Sequence, residues 1–242
     1  YLGIDVFRLG AQKIKRFELS TPKSKLLKSN LTLGGFGISR YVLDHALYEK
    51  AKSESVQTLQ DIVTNIQFLN DEFSIITKNN STYKSRVVVG AFGKRSSIDI
   101  TLERNFIKKK SPFLAVKTHV KGDFPKDLVA LHNFKGGYCG VSKVENDVIN
   151  LCYITDFTAF KAYKDIDEFQ EEVVFKNTYL KTIFKNSVPV FEKPLTISQI
   201  SFANKSPVEN HIIMCGDSAG MIHPLCGNGM SMAIRSSQMA SH

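Results

Sequence analysis

Apolar and polar positions alternate with a period of two over Phe113–Val120 and again near 128–134, 138–144 and 148–154. That period marks strands with one covered face, so a largely antiparallel sheet is predicted across the middle of the chain. Upstream, Leu43, Ala46, Leu47 and Ala51 recur at helical spacing and predict a helix over 40–53 with Ser39 as its N-cap. Residues 31–39, rich in glycine, read as the approach to that helix. Short strands are expected near 56–59, 61–68 and 72–77, with Asn79-Asn80 as a turn. Arg86-Val-Val-Val-Gly90 is apolar on both faces and reads as a buried parallel strand. Helices are expected at 164–174 and 178–185, then a buried strand His211–Cys215, and a helix opening close to Gly229. Two parallel-type segments thus bracket an antiparallel insert.

Composition narrows the class. The 242 residues are room for one or two domains, and 43% hydrophobic with 23% charged residues is ordinary globular usage. No apolar run reaches the ~18 residues of a membrane helix, and no leader pattern opens the chain. The chain starts at Tyr1 and stops inside an expected helix, so a piece of something longer is expected. Without repeats or an obvious linker, any domains must interleave.

The net charge of +9 admits nucleic acid, an anionic membrane surface or an anionic cofactor as partner. Most of the cations are scattered, and Lys108-Lys109-Lys110 after Arg104 reads as a solvated turn, which disfavours nucleic acid and leaves peripheral membrane contact open. Cys139, Cys152, Cys215 and Cys226 have no C-x-x-C spacing, as expected of reduced thiols in a cytoplasmic protein.

Chemistry concentrates between Cys215 and Met230. A buried strand ends in Gly216-Asp217, and Pro224 and Gly227-Asn228-Gly229 precede a helix. Asp217 at a strand's end is placed to accept hydrogen bonds from sugar-type hydroxyls, and glycines let a ligand approach main-chain N–H groups at a helix's positive end. Other readings use the same residues. Gly216-Asp-Ser-Ala-Gly220 fits a hydrolase elbow, but Pro224 and Gly227 interrupt the required helix and no acidic residue follows Ser218. His211, Cys215, His223 and Cys226 are possible zinc ligands without a zinc-finger framework, so no metal site is expected. A plain glycine-rich connection needs no ligand at all. Arg40 in a helix's first turn opposes the dipole unless an anion lies nearby, which a phosphate would supply.

In this stretch the chain resembles the FAD-binding family that includes aromatic hydroxylases, flavin-dependent halogenases and geranylgeranyl reductases. Gly216-Asp217 through Gly229 is similar to that family's second FAD fingerprint; Ser39-Arg40 with Leu43-Asp44 and Leu47 matches its "SR..LD..L" helix; and Val87 through Ser96 matches its "vigADGxxS" segment. The resemblance implies that Asp217 binds the ribityl hydroxyls, that Arg40 lies near the phosphates, and that Pro224, Gly227, Asn228, Gly229 and Met230 face the flavin. It also implies a G-x-G-x-x-G turn, which is absent here and is expected upstream of Tyr1. Phe92 stands where the family has an Asp, and the chain has no Trp, which argues against tryptophan-type halogenation. Phe134 through Ser142 with Asn150 through Tyr153 resembles the substrate wall of the reductase branch, making Phe134, Tyr138, His132 and His119 the candidates to face a pocket, although core packing makes the same pattern.

The expected architecture is α/β: an FAD-binding three-layer domain with a parallel sheet, from 1–98 and 196–242, and a mostly antiparallel substrate domain from 99–195. The expected activity is an FAD-dependent oxidoreductase, monooxygenase-like or reductase-like, using NAD(P)H and an apolar, aromatic or isoprenoid-type substrate. The alternative is a non-catalytic nucleotide- or anion-binding protein on the same fold.

Overall fold

The computed structural model describes residues 2–242, with Gln199 described by its backbone alone. Strands β1 (Gln12–Ser20) and β2 (Leu26–Gly37) lead into helix α1 (Arg40–Ser53). A meander of β3 (Val63–Leu69), β4 (Glu72–Thr77) and β5 (Thr82–Ser85) precedes the two-residue β6 (Val89–Gly90) and the short helix α2 (Ser97–Thr101). Four long strands follow: β7 (Phe113–Lys121), β8 (Leu128–Phe134), β9 (Gly137–Lys143) and β10 (Ile149–Asp156). Helices α3 (Phe157–Phe160), α4 (Ile166–Glu172) and α5 (Thr178–Lys185) come next, then β11 (Val188–Pro189), β12 (Leu195–Ile200), β13 (Val208–Glu209), β14 (Ile212–Met214) and α6 (Gly229–Ala240). No helix among the described residues is long and apolar enough to cross a membrane.

The chain forms two compact units. In the first, which holds the residues up to Thr58 and Phe113–Ser198, one sheet runs β11-β7-β10-β9-β8-β1-β2, with β12 also on β7. Alternation along β8 buries Leu128, Ala130, His132 and Phe134 on one face. That face joins Val116, Val141, Leu151 and Tyr153 in a core closed by Phe169, Val174 and Leu180 from the helical segment. Phe134, Tyr153 and Phe169 meet at centroid distances near 6 Å, with Phe134 edge-on to both others. One polar network is buried here: Asn177 caps α5 through its carbonyl and donates its amide to Ser20 Oγ (2.7 Å), which lies 2.9 Å from His132 Nδ1. Burial pushes the His132 imidazole down to about 4, against a weaker opposing pull from Glu18.

The second unit, Leu59–Pro112 with Gln199–His242, holds two small sheets, β3-β4-β5 and β13-β14-β6. Strand β14 runs parallel to β6, Ile213 opposite Val89 and Met214 opposite Gly90. Phe73, Ile98, Leu102, Ile212 and Met214 form the core, with Val88 and Phe92 against it.

The approach to α1 at 31–39 is itself largely strand, because β2 continues to Gly37 and pairs with β1, with Gly34 at a left-handed φ of 67° inside it. Two expectations are corrected. Residues 56–59 form no strand. The 86–90 segment is parallel as expected but not buried, since only two residues pair and Val87 and Val89 are 62% and 47% exposed. The described residues up to Thr58, read above with the 196–242 segment, group with the large sheet, where β1 pairs in parallel with β8 from Arg16↔Leu128 to Ser20↔His132.

Candidate functional site

Strand β14 delivers the chain into a single helical turn, Gly216–Ser218, and four hydrogen bonds to residues distant in sequence fix that turn within the second unit. Gly216 sits at φ 58°, its N–H donates to Ser236 Oγ (2.9 Å), and a Cβ there would lie 3.2 Å from Ala233 on α6. Ser218 is buried and donates its hydroxyl to Gly93 O (3.2 Å). The buried Arg104 guanidinium donates to Ser218 O (3.0 Å), Ser206 O (2.9 Å) and Asp99 Oδ1 (2.8 Å). Asp99 in turn closes a capping box with Ser96 at the start of α2. Lys205 Nζ donates to Asp217 O (2.7 Å) and Lys94 O (2.8 Å) and lies 4.2 Å over the Phe106 ring. Burial pushes the Lys205 and Lys94 ammonium groups down, while the Asp217 carboxylate pulls both back up. Asp217 itself is half-buried, with its main chain held from beneath by Lys205.

Beyond this turn the chain is open. His223 Nδ1 accepts from Leu225 N (3.2 Å) and its ring stacks on Phe202 at 4.7 Å, so Pro224 begins a one-turn helix. Gly227 ends it at φ 65°. Asn228 then precedes α6 without a side-chain cap, and no acidic residue lies in the first turn. Pro224, Gly227, Asn228 and Gly229 are exposed, Met230 is half-buried, and a Cβ at Gly227 or Gly229 would meet nothing. The first-turn N–H groups of α6 are therefore presented at a positive helix end without a side-chain acceptor of their own.

Arg40 lies in the first unit. Its guanidinium grips Asp44 with two bonds of 2.9 and 3.0 Å, one turn further along α1. Asp44 thus supplies the anion that a phosphate was invoked to provide. Beside it, Ser39 Oγ caps Val42 N (3.2 Å), and Ser39 N donates to the buried Glu145 carboxylate (2.8 Å). Burial works to raise the Glu145 carboxyl, yet the Ser39 contacts hold it below the usual carboxylate range. No local spacing announces Glu145, which lies 106 residues from its partner.

The substrate candidates divide between two faces. His132 and Phe134 are 2% and 3% exposed on the helix-covered face, which corrects their expected place at a pocket: they pack the core. Tyr138 pairs across from Asn133 and projects to the other face, with His119 and Asn150. The hydrolase reading fails on geometry, since Ser218 is buried and its hydroxyl is committed to a carbonyl. Of the zinc candidates, His211 stacks on Phe68 at 4.2 Å, Cys215 is buried and Cys226 is exposed. Among the described residues no group of three or more His, Cys, Asp or Glu could hold a metal ion.

No protein-family profile matches the chain. Solved structures do match the fold. A flavoprotein/dehydrogenase from Cytophaga hutchinsonii superposes over 95% of this chain and 60% of its own length, with TM-score 0.77 at 16% identity. The flavin-dependent brominase Bmp2 matches over 97% of this chain and 62% of its own, with TM-score 0.76 at 17% identity. The halogenase PltM, solved with phloroglucinol and FAD, matches over 93% and 51%, with TM-score 0.76 at 14% identity. The chain has the mixed α/β fold of these flavoproteins and spans less than two thirds of their length. Among curated sequences it is similar to Conditioned medium factor receptor 1 of Dictyostelium discoideum, 23% identical over 222 residues, which are 84% of this chain and 42% of that protein.

Proposed function

We propose that the chain carries part of the FAD site of a flavin-dependent oxidoreductase acting on an apolar small molecule. The observation that carries this reading is the start of α6: exposed glycines, a left-handed Gly227 and first-turn N–H groups without a side-chain cap, following the Asp217 turn in a fold shared with FAD proteins. These residues fit the isoalloxazine and ribityl portions of the cofactor. Main-chain donors at a helix's positive end suit an electron-rich heterocycle edge, and a half-buried carboxylate suits hydroxyls.

In this assignment Asp217 accepts from the ribityl hydroxyls, while Lys205 and Arg104 hold its turn from behind. Gly227, Asn228 and Gly229 present main-chain N–H groups, and Pro224 and Met230 flank them. Arg40 belongs to the first unit, where its guanidinium is paired with Asp44. FAD, when bound, would supply the redox chemistry, oxygenation or reduction of the substrate, with NAD(P)H as the proposed electron donor. Four free cysteines accord with a cytoplasmic setting. Phe92, half-buried against the core of the second unit where the resembling family has a carboxylate, favours a second reading in which nucleotide is bound without turnover.

The test is flavin content and turnover of the protein as its source makes it. Asp217→Ala should lower FAD occupancy by about ten-fold or more, each lost charge-assisted bond being worth ~1.5–3 kcal/mol. Flavin retained at native stoichiometry in the variant counts against the assignment. Native protein that binds FAD but neither accepts electrons from NAD(P)H nor reoxidises in air would favour the second reading.

A further inference from the structure

Strand β2 is the last strand of the large sheet, and part of it has no place in the ladder. Ile14 pairs with Gly35 and Arg16 with Asn30, so Leu31, Thr32, Leu33 and Gly34 stand opposite Lys15 alone. Surplus residues in one strand must leave the ladder. The sheet side is taken, because the N–H groups of Lys15 and Arg16 are both held by Asp127 O (2.8 and 2.9 Å) at the start of β8. The surplus therefore leaves on the edge side, with Gly34 at its left-handed φ of 67°, and Leu33 within it is fully exposed.

Two further apolar side chains accompany Leu33. Phe36 lies directly opposite Lys13, and its ring meets that of Phe7 edge-on at 6.4 Å; both rings are about half exposed. The charge around them is one-sided. Residues 2–37 carry seven cations against two carboxylates, an excess of five within the chain's +9. Arg8, Arg16 and Lys28 meet Asp5, Asp127 and Glu18, which leaves Lys13, Lys15, Lys23 and Lys25, all exposed, as the excess. Lysines along an edge keep other strands away, so pairing with a second copy through β2 is disfavoured. They do not account for the exposed Leu and Phe side chains among them. Apolar groups set between lysines match the surface of an anionic bilayer, where the lysines meet the headgroups and the apolar groups enter the acyl boundary. A nucleic acid would satisfy the lysines and leave Leu33 in water.

We propose that the Leu31–Gly34 bulge, with Phe7, Phe36 and the lysines of the β1–β2 hairpin, docks the first unit on an anionic lipid surface. This goes beyond the cofactor reading and does not rest on it. The full-length protein is sedimented with vesicles of phosphatidylcholine alone and of phosphatidylcholine with about 30 mol% phosphatidylserine. Binding to the anionic vesicles should be about ten-fold tighter or more, and should weaken at ~0.5 M salt. Lys13→Glu combined with Lys15→Glu should weaken it by about ten-fold or more. Lys108→Glu combined with Lys110→Glu makes the same change of charge in the other basic run, also exposed, and should stay within about three-fold of native. The 242 residues hold no Trp, so the emission that Leu33→Trp adds to the unsubstituted protein reports on the bulge. With anionic vesicles that emission should shift to the blue and be quenched by bromine-labelled lipid. No preference for anionic vesicles, equal losses in the two double variants, or a Leu33→Trp emission that the vesicles leave unmoved overturns the proposal. Native protein that ignores the vesicles and is retained by duplex DNA through Lys13 and Lys15 would assign the surface to nucleic acid instead.

Discussion

Arg104→Met isolates the device that holds the Asp217 turn. Arg104 and Asp99 have side-chain exposures of 2% and 0%, so removing the guanidinium leaves a carboxylate buried and without its counter-charge. Breaking a buried pair on one side destabilises by about 3–5 kcal/mol, and a domain has ~5–15 kcal/mol in total. The carbonyls of Ser218 and Ser206 lose a donor in the same step, so the upper part of that range is expected. Arg104→Met combined with Asp99→Asn removes the stranded charge while keeping an acceptor for Ser96 N, and should recover about 1–3 kcal/mol. The assay is urea unfolding with residue-resolved hydrogen exchange, which assigns the loss to a unit. Exchange should accelerate in Leu59–Pro112 and Gln199–His242 and remain near native in the sheet of the first unit. An Arg104→Met protein within about 1 kcal/mol of native, or a double variant worse than either single one, would refute the argument that charge burial makes this arginine indispensable.

Acidification tests the first unit. His132 is neutral when folded down to about 4 but takes a proton near 6.5 when unfolded, so its contribution is complete above pH 6.5 and lost as the pH falls toward 4. The loss should reach about 3 kcal/mol at the acid end, flattening in His132→Gln; urea midpoints at pH 7 and 4.5 read it, and an equal acid loss in the variant speaks against the histidine. Gly37→Ala should destabilise by about 1–3 kcal/mol and loosen the Ser39–Glu145 contact, because its Cβ would fall 2.1 Å from Lys143 O. Native-like protection of Ser39 N–H in that variant would show that the strands separate without disturbing the helix cap.

The long amphipathic elements were legible. Strands β7 to β10 fall where periodicity placed them because each has one covered face, helices α1 and α5 start at side-chain caps, and α6 opens at Gly229 behind its glycine-rich approach. The β1–β2 hairpin was not, for a physical reason: β2 is an edge strand whose Leu27, Leu33 and Phe36 are exposed, so no covered face imposes alternation. Local reading also pointed to His132 and Phe134, which alternate correctly with Tyr138 but lie on the covered face. Periodicity tells which residues share a face and is silent on which face is covered. Arg104 is grouped in the sequence with the lysines that follow it, although its hydrogen-bond partners lie 5, 102 and 114 residues away and Glu209 adds an ion pair.

That pattern bears on why likeness of fold survives where likeness of sequence does not. The groups proposed to meet the cofactor at α6 are main-chain N–H groups, supplied by any residue other than proline, and the side chains holding the Asp217 turn act on main-chain carbonyls. Selection on such a site falls on backbone path: a glycine at φ 58° where α6 passes within 3.2 Å, another at φ 65° before the helix, and an uncapped helix start. Few side-chain identities are prescribed by the proposed site; the fold itself has TM-scores of 0.76–0.77 against flavoproteins at 14–17% identity, and no family profile matches the chain. Phe92 is the same principle inverted: it is half-buried and packs against the core of the second unit, so the fold gains an apolar contact at the position where the resembling family keeps a carboxylate. Replacing Phe92 by Asp should therefore destabilise the second unit by about 1–2 kcal/mol, the order expected for losing a half-buried ring, rather than restore an activity.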